Sequence, residues 1–368
     1  MNFKFYPKES KLYDFLKFPE LLFYNENEED DGNFGELIDD TPMAKEYKIF
    51  VERIRDQLAP FENEIKIFYP KYLYRKYGFI DLIFRKYNIF EYDEQRYLEM
   101  LSNMEGNEIN NAIVYGILSN DDYDGSYEQM HKKAELISQN KADVVTLIKG
   151  LALDDSLKWN LFLMIDDPVN YMKRFVKLMY KILPIFESNY LPYDTKIKDY
   201  GLYLSGFLNK NGVSGLDNIS YSMVDSNILD PRENNILISL VEAFVIRIMT
   251  VTRENYIVWG IYIEEAFQIM KDINEDKLIE RIQIFKNLGD KTRYQVLRLV
   301  ANGETSTKNI AEELGVSSAT ISYHLNNLTT SRIIRLDKNQ DKYSYIVDYK
   351  LLEDVIEGLK EDLQFSRV

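Results

Sequence analysis

Residues 306–328 read STKNIAEELGVSSATISYHLNNL. Ser306 has the side chain of a helix cap, and the helix it would start carries Ile310, Ala311 and Leu314 on one face. Gly315 supplies the left-handed residue that ends such a helix. Ala311 and Gly315 are small enough for two helices to cross closely, and Val316 fills the corner between them. Ser317 caps a second helix whose apolar stripe, Ile321, Leu325 and Leu328, falls at i, i+4 and i+7. Two helices joined by so tight a turn predict a helix-turn-helix.

The remaining face of the second helix is Ser318, Ser322, Tyr323 and Asn326, with Ser317 and Thr320 at its start and His324 directly after Tyr323. Side chains that are short or planar and rich in donors and acceptors are what a helix in a major groove needs to reach base edges and phosphates. Ser317, Ser318, Thr320, Ser322, Tyr323, His324 and Asn326 are therefore the candidate DNA contacts of this helix. A lone histidine there reads as packed or phosphate-facing rather than catalytic. Two strand-like runs follow, 331–336 and 342–347, separated by the polar residues 337–341. They predict a hairpin, or wing, lying along the backbone or minor groove, with Arg332, Arg335, Lys338 and Lys342 as candidate phosphate contacts.

Together with LGDKTRYQVLRLV at 288–300, these segments resemble the ArsR family of bacterial regulators, over about the last quarter of the chain. The resemblance implies a winged helix-turn-helix regulator, commonly a repressor, that binds a double-stranded DNA operator as a homodimer. The flanking helices would build the dimer. Here they are the run Leu278, Ile279, Ile282, Phe285 and the run Leu351, Leu352, Val355, Ile356, Leu359, both with apolar stripes wider than a lone helix should expose. Such a dimer reads a palindromic operator with half-sites one or more helical turns apart. Many family members sense metals through a Cys-x-Cys pair, but Ser306 and Lys308 occupy those positions and the chain has no cysteine. A second family site uses histidine and carboxylates on the last helix, where residues 349–363 offer Glu353, Asp354, Glu357 and Glu361 without a histidine. A regulator that senses no metal and holds no cofactor is expected.

With 368 residues, 45% of them apolar and 14% aromatic, the chain is long enough for two domains with sizeable cores. The longest apolar run, 236–251, is interrupted by Glu242 and Arg247, so no membrane insertion is expected, and the lack of cysteine fits a cytoplasmic protein. Charge is uneven: residues 276–368 carry 14 Lys and Arg against 14 Asp and Glu, so the whole net charge of −15 lies upstream. An acidic body is repelled by DNA, which confines contact to the second helix and the wing.

The predicted fold is mainly α with minor β. A winged helix-turn-helix for DNA binding and dimerisation at 276–368 joins a large, mostly helical domain at 1–275 with a few strands. Residues 1–24 suggest a short strand and an aromatic helix, 25–41 an acidic loop, and 43–58, 71–104, 108–119 and 127–190 helices with breaks. The Gly/Asn run 209–218 reads as a loop. The β-branched and aromatic runs 219–223, 236–240, 244–251 and 256–262 read as strands, and 264–272 resumes helix, continuing across the boundary. So large an aromatic-rich domain suits the sensing of a small organic or peptide effector.

Other features have plainer readings. In 71–87, Arg75, Lys76, Arg85 and Lys86 alternate with aromatics like a nucleic-acid surface, but Leu73, Tyr77, Ile80 and Phe84 repeat as a core stripe with solvated basic neighbours. Asn120, Asp122, Asp124 and Gly125 imitate a calcium loop that fails at His131, and 27–38 fails at Ile38. Two histidines without cysteine assemble no nucleophilic or hydrolytic constellation, and phosphate-binding glycine loops are missing, so no enzyme is expected. The alternative is a winged helix used only for protein docking. Such a module tends to expose apolar residues where Ser318, Ser322, Tyr323 and Asn326 stand.

Overall fold

The computed structural model describes residues 2–26, 41–69, 78–119, 127–151, 153–221, 223–224, 229, 233–249, 256–275, 277–304, 306–339 and 342–365. Strand β1 (Asn2–Phe5) leads into α1 (Pro7–Lys17), whose first turn takes Pro7 because the missing N–H would be unpaired there anyway. A 3-10 segment (Phe18–Glu26) follows. Helices α2 (Pro42–Leu58), α3 (Glu62–Phe68), α4 (Phe79–Phe84), α5 (Glu94–Ser102), α6 (Gly106–Leu118), α7 (Tyr127–Ser138), α8 (Lys141–Gly150), α9 (Asp155–Asp166), α10 (Pro168–Tyr190), α11 (Asp194–Asn211) and α12 (Val213–Ile219) continue the body. Then come β2 (Glu233–Ser239), β3 (Ile246–Met249) and β4 (Tyr256–Gly260). Helices α13 (Ile263–Glu275) and α14 (Lys277–Leu288) precede α15 (Lys291–Ala301), α16 (Thr307–Leu314), α17 (Ser318–Thr330), β5 (Ile334–Asn339), β6 (Lys342–Val347) and α18 (Tyr349–Asp362). The chain is mainly helical with minor β, as the sequence predicts.

The body sheet has the order β1-β2-β4-β3, with β1 and β4 parallel to β2 and β3 antiparallel to β4. Strands with neighbours on both edges and helices over their faces read as continuous apolar runs. Accordingly Ile236, Leu237, Ile238, Val258 and Trp259 are all buried. β1 enters by a long-range contact, Phe3 aligning with Asn234, and α11 secures it. Asn209 on that helix accepts from Phe3 N at 2.9 Å and donates to Phe3 O at 2.7 Å, so an amide side chain imitates a strand neighbour.

That use of Asn209 corrects the expected 209–218 loop. The segment is helical through α11 and α12, with Gly212 (φ +61°) as the single break. The expected strand at 219–223 is also absent: Ile219 ends α12, and Ser220 and Met223 form a turn, Met223 N donating to Ser220 O at 2.9 Å. The other three expected strands form within or beside their predicted runs. In the 71–87 segment, Ile80 and Phe84 are core residues, whereas Leu73, Tyr77, Arg75 and Lys76 lie outside the described residues. Arg85 is not solvated as expected. It is buried, and its Nη1 donates to Ser119 Oγ at 2.9 Å. Both calcium-like loops, at 27–38 and from Asn120 to Gly125, lie outside the described residues. His131 lies against the Tyr115 ring, with centroids 4.5 Å apart.

A buried polar cluster ties α1 to the sheet. Lys17, 3% exposed, holds Asp81 Oδ1 at 2.7 Å and Glu20 Oε1 at 2.8 Å. Beyond it, Glu242 pairs with Arg247 and accepts from Tyr13 Oη at 2.6 Å; burial opposes its charge, yet Arg247 and Lys17 hold its carboxyl down to about 2. Asp14 accepts from Ser239 Oγ, from Leu240 N at 2.7 Å and from Val241 N at 3.3 Å, fastening the turn after β2. Those donors favour the carboxylate, but complete burial outweighs them and pushes Asp14 up to about 7 from 3.8. The folded state therefore holds this proton more tightly than the unfolded chain. The resulting stabilisation is fully present below pH 3.8 and is lost as pH rises through about 7. Thermal midpoints are expected to fall from pH 5 to pH 8, and Asp14→Asn to flatten that slope. An unchanged slope in Asp14→Asn would assign the titration to another group.

Among the described residues no helix is long and apolar enough to cross a membrane.

Candidate nucleic-acid interface

Around 284–355 a second buried cluster forms from Ile284, Val296, Val300, Ile310, Ala311, Ile321, Leu325, Leu328, Ile333, Ile334 and Val355. Ser306 caps α16 by accepting from Asn309 N at 3.3 Å, and Glu304 supports the cap by accepting from Ser306 N at 2.8 Å. Gly315 has φ +66°, and Val316 N turns back to Ala311 O at 3.1 Å, which closes the helix end. The turn is thus built by the residues whose sequence positions predicted it.

Ser317 Oγ accepts from Thr320 N at 3.1 Å and shares a hydrogen bond with Thr320 Oγ1 at 2.8 Å. Both hydroxyls are engaged in capping α17, so only their remaining lone pairs or protons can face a ligand. Ser318 and Asn326 are exposed, and Ser322 and Tyr323 are half-buried on the same side. His324 takes the packed one of its two expected places. It is 7% exposed and packed beneath the helix, and burial lowers its pKa, with Arg293 adding to that and Asp290 opposing it. Packed there, its ring offers less to a phosphate than the outer face of the helix does. A signal for this existed: 321, 324, 325 and 328 follow the i, i+3, i+4, i+7 rule of a buried stripe.

The wing is an antiparallel pair with Ile334 opposite Val347 and Asn339 opposite Lys342. The strands run closer to the tip than the expected five-residue connection allows, leaving residues 340–341 between them. Arg335 is exposed. Arg332 adopts φ +60°, and its guanidinium turns toward Glu280 Oε1 at 3.6 Å, so an acidic residue of α14 competes with any phosphate for it. The side chains of Lys338 and Lys342 lie outside the described residues.

Residues that the sequence reading overlooked lie under α17. Asn287, Arg293 and Asn327 are buried polar side chains. Asn327 Nδ2 donates to Tyr323 O at 3.0 Å, and Arg293 Nη1 donates to Asn287 Oδ1. Elsewhere, among the described residues, no group of three or more His, Asp and Glu could hold a metal ion.

Comparison with known proteins bears on this segment alone. The family described as "Helix-turn-helix domain" matches residues 288–337. An uncharacterized HTH-type transcriptional regulator of Methanocaldococcus jannaschii is 38% identical over 80 residues, 21% of this chain and 90% of that protein. The transcriptional repressor SdpR of Bacillus subtilis is 32% identical over 73 residues, 20% of this chain and 81% of its own length. The arsenical resistance operon repressor of Staphylococcus aureus is 29% identical over 76 residues, 21% of this chain and 73% of its own. No solved structure matches the chain.

Proposed function

Because the chain belongs, through its C-terminal helix-turn-helix domain, to the helix-turn-helix transcriptional regulators, we propose that it is a cytoplasmic, non-enzymatic repressor that binds a specific DNA operator as a homodimer. The observation that carries this reading is the outer face of α17. Ser318 and Asn326 are exposed and Ser322 and Tyr323 half-exposed on a helix anchored from beneath by buried Ile321, Leu325 and Leu328. Such a face suits base edges and offers little to an apolar docking partner. Arg335, Lys338 and Lys342 on the wing would neutralise phosphates, with Arg332 available once released from Glu280.

Dimerisation is assigned to α14 and α18. Leu278, Ile279, Ile282 and Phe285 are exposed on the first; of the stripe expected on the second Ile356 is exposed, whereas Val355 is buried in the domain core and Leu351 and Leu352 pack against it, and Leu363 and Phe365 beyond that helix add exposed apolar side chains. The two helices are bridged by Arg281 Nη2 and Asp362 Oδ2 at 2.8 Å, so their apolar faces can form one surface. A two-fold pairing of that surface buries it and sets two copies of α17 for a palindromic site.

The division near residue 275 follows from this assignment: residues 1–275 act as a sensing domain for a small organic or peptide effector, and no metal takes part. An effector changes operator affinity only by binding the competent and incompetent dimers unequally, so it must bias the junction made by α13 and α14. A compound that raises the melting temperature of the full chain without altering operator affinity would count against that coupling.

The test is selection from a random duplex library by the purified full chain at several salt concentrations. Enrichment of a two-fold symmetric site with a steep salt slope is expected, and absence of enrichment with weak binding at low salt refutes specific DNA recognition. On the selected site, Ser322→Ala with Tyr323→Ala is expected to cost about 1–3 kcal/mol of specific binding. Lys338→Ala with Lys342→Ala should instead weaken binding to every sequence and flatten the salt slope. Equal effects from both pairs would contradict the division between base and phosphate contacts.

A further inference from the structure

Beneath Tyr323 a chain of buried polar groups crosses three helices. Asn287, in the last turn of α14, is fully buried, and its Nδ2 donates to Gln283 O at 3.0 Å. Its Oδ1 faces α15 and accepts from Arg293 Nη1. Arg293 is itself only 7% exposed, and its backbone N–H is fixed by the cap residue Asp290 at 2.7 Å. The guanidinium carbon lies 5.9 Å from the centre of the Tyr323 ring on α17. On another side His324 meets that ring edge-on, with centroids 5.3 Å apart, and Asn327 holds the Tyr323 carbonyl. Among the described residues Arg293 Nε has no hydrogen-bond partner, and no carboxylate is paired with its guanidinium.

A buried guanidinium without a carboxylate is costly, and an apolar side chain of similar volume would fill the space with less desolvation. What arginine adds is geometric. Its guanidinium lies over an aromatic ring while its fork makes a directional bond elsewhere, a pair of tasks for which the point charge of lysine is poorly shaped.

We propose that Arg293 is a positioning residue: it seats Tyr323 of the reading helix and, through Asn287, ties that seat to α14. The pose of the reading face then depends on where α14 sits, and α14 is the helix that adjoins α13 and carries the apolar face Leu278, Ile279, Ile282 and Phe285. A displacement of α14 reaches the base-reading side chain through two contacts. This rests on the reading of α17 as the DNA-reading helix.

The experiment uses full-length wild type, Arg293→Lys, Asn287→Leu, Tyr323→Ala and the double variant Arg293→Lys with Tyr323→Ala. The readout is the ratio of Kd on a random-sequence duplex to Kd on the duplex that the wild type selects. A merely structural loss lowers the folded fraction and scales both constants alike, so it leaves the ratio unmoved. Arg293→Lys and Asn287→Leu are each expected to lower the ratio about tenfold with random-duplex binding unchanged. In the Tyr323→Ala background Arg293→Lys should lower it no further. A wild-type ratio in Arg293→Lys, or full additivity in the double variant, overturns the proposal while leaving the DNA reading standing. A wild type that selects no site overturns that reading, and the proposal with it. Should Asn287→Leu fail to fold, the Arg293→Lys and Tyr323→Ala cycle decides alone.

Discussion

Lys17→Met is expected to remove about 3–5 kcal/mol of unfolding free energy, because it leaves charge behind in the core rather than merely deleting a bond. Asp81 is 4% exposed at its side chain and also accepts from Gly78 N at 2.8 Å, so its carboxylate has no route to water once the ammonium is gone. Glu20 loses the same partner. The double variant Lys17→Met with Asp81→Asn should recover part of the loss, since a buried pair replaced as a unit costs far less than a buried pair broken. Urea titration monitored by tryptophan fluorescence measures both. A loss below about 1 kcal/mol in the single variant would place Lys17 in the class of exposed ion pairs and contradict its burial.

Leu325→Ala is expected to cost about 2–5 kcal/mol, confined to the helix-turn-helix domain. Leu325 is 1% exposed between Ile321 and Leu328, in a cluster that the fold supplies from α14, α15, α16, α17, β5 and α18. So small a cluster has few neighbours to relax into the space left by three lost carbons. Operator binding should disappear at temperatures where far-ultraviolet circular dichroism still reports the helices of the body. Retention of wild-type DNA affinity by Leu325→Ala would show that α17 is held by something other than this cluster.

What could be read from residues alone was whatever depends on near neighbours. Ser306, Gly315 and Ser317 announce the turn because capping and left-handed backbone are local requirements, and each performs its expected task. Strands β2 and β4 were legible through Ile236 to Ile238 and Tyr256 to Trp259, because buried parallel strands carry near-continuous apolar runs, whereas the buried Asn234 and Asn235 at the start of β2 were not. Two of the failures are distant pairings. Asn209 looks like a loop former until Phe3, at the other end of the body, is seen to need a hydrogen-bonding neighbour. Arg85 looks solvated until Ser119 arrives beside it. His324 and Arg293 combine both difficulties. The residue type of His324 suggested a group that could meet DNA and that of Arg293 suggested nothing in particular, whereas the crossing of α15 and α17 buries both.

The pairing of β1 with β2 also imposes a schedule on synthesis. Phe3 leaves the ribosome about 230 residues before Asn234, its partner, which at translation rates of 5–20 residues per second is a delay of roughly 10–50 s. Throughout that interval α1 lacks β2 to cover, and Asp14 and Tyr13 are without Leu240 and Glu242 of the turn after β2 that close their cluster. The helix-turn-helix domain, whose buried contacts lie within about 70 residues of one another, faces no comparable wait. Nascent chains that have emerged past residue 275 should therefore resist protease in the body far better than chains that have emerged only to residue 225, and the interval between them is when a chaperone has something to hold.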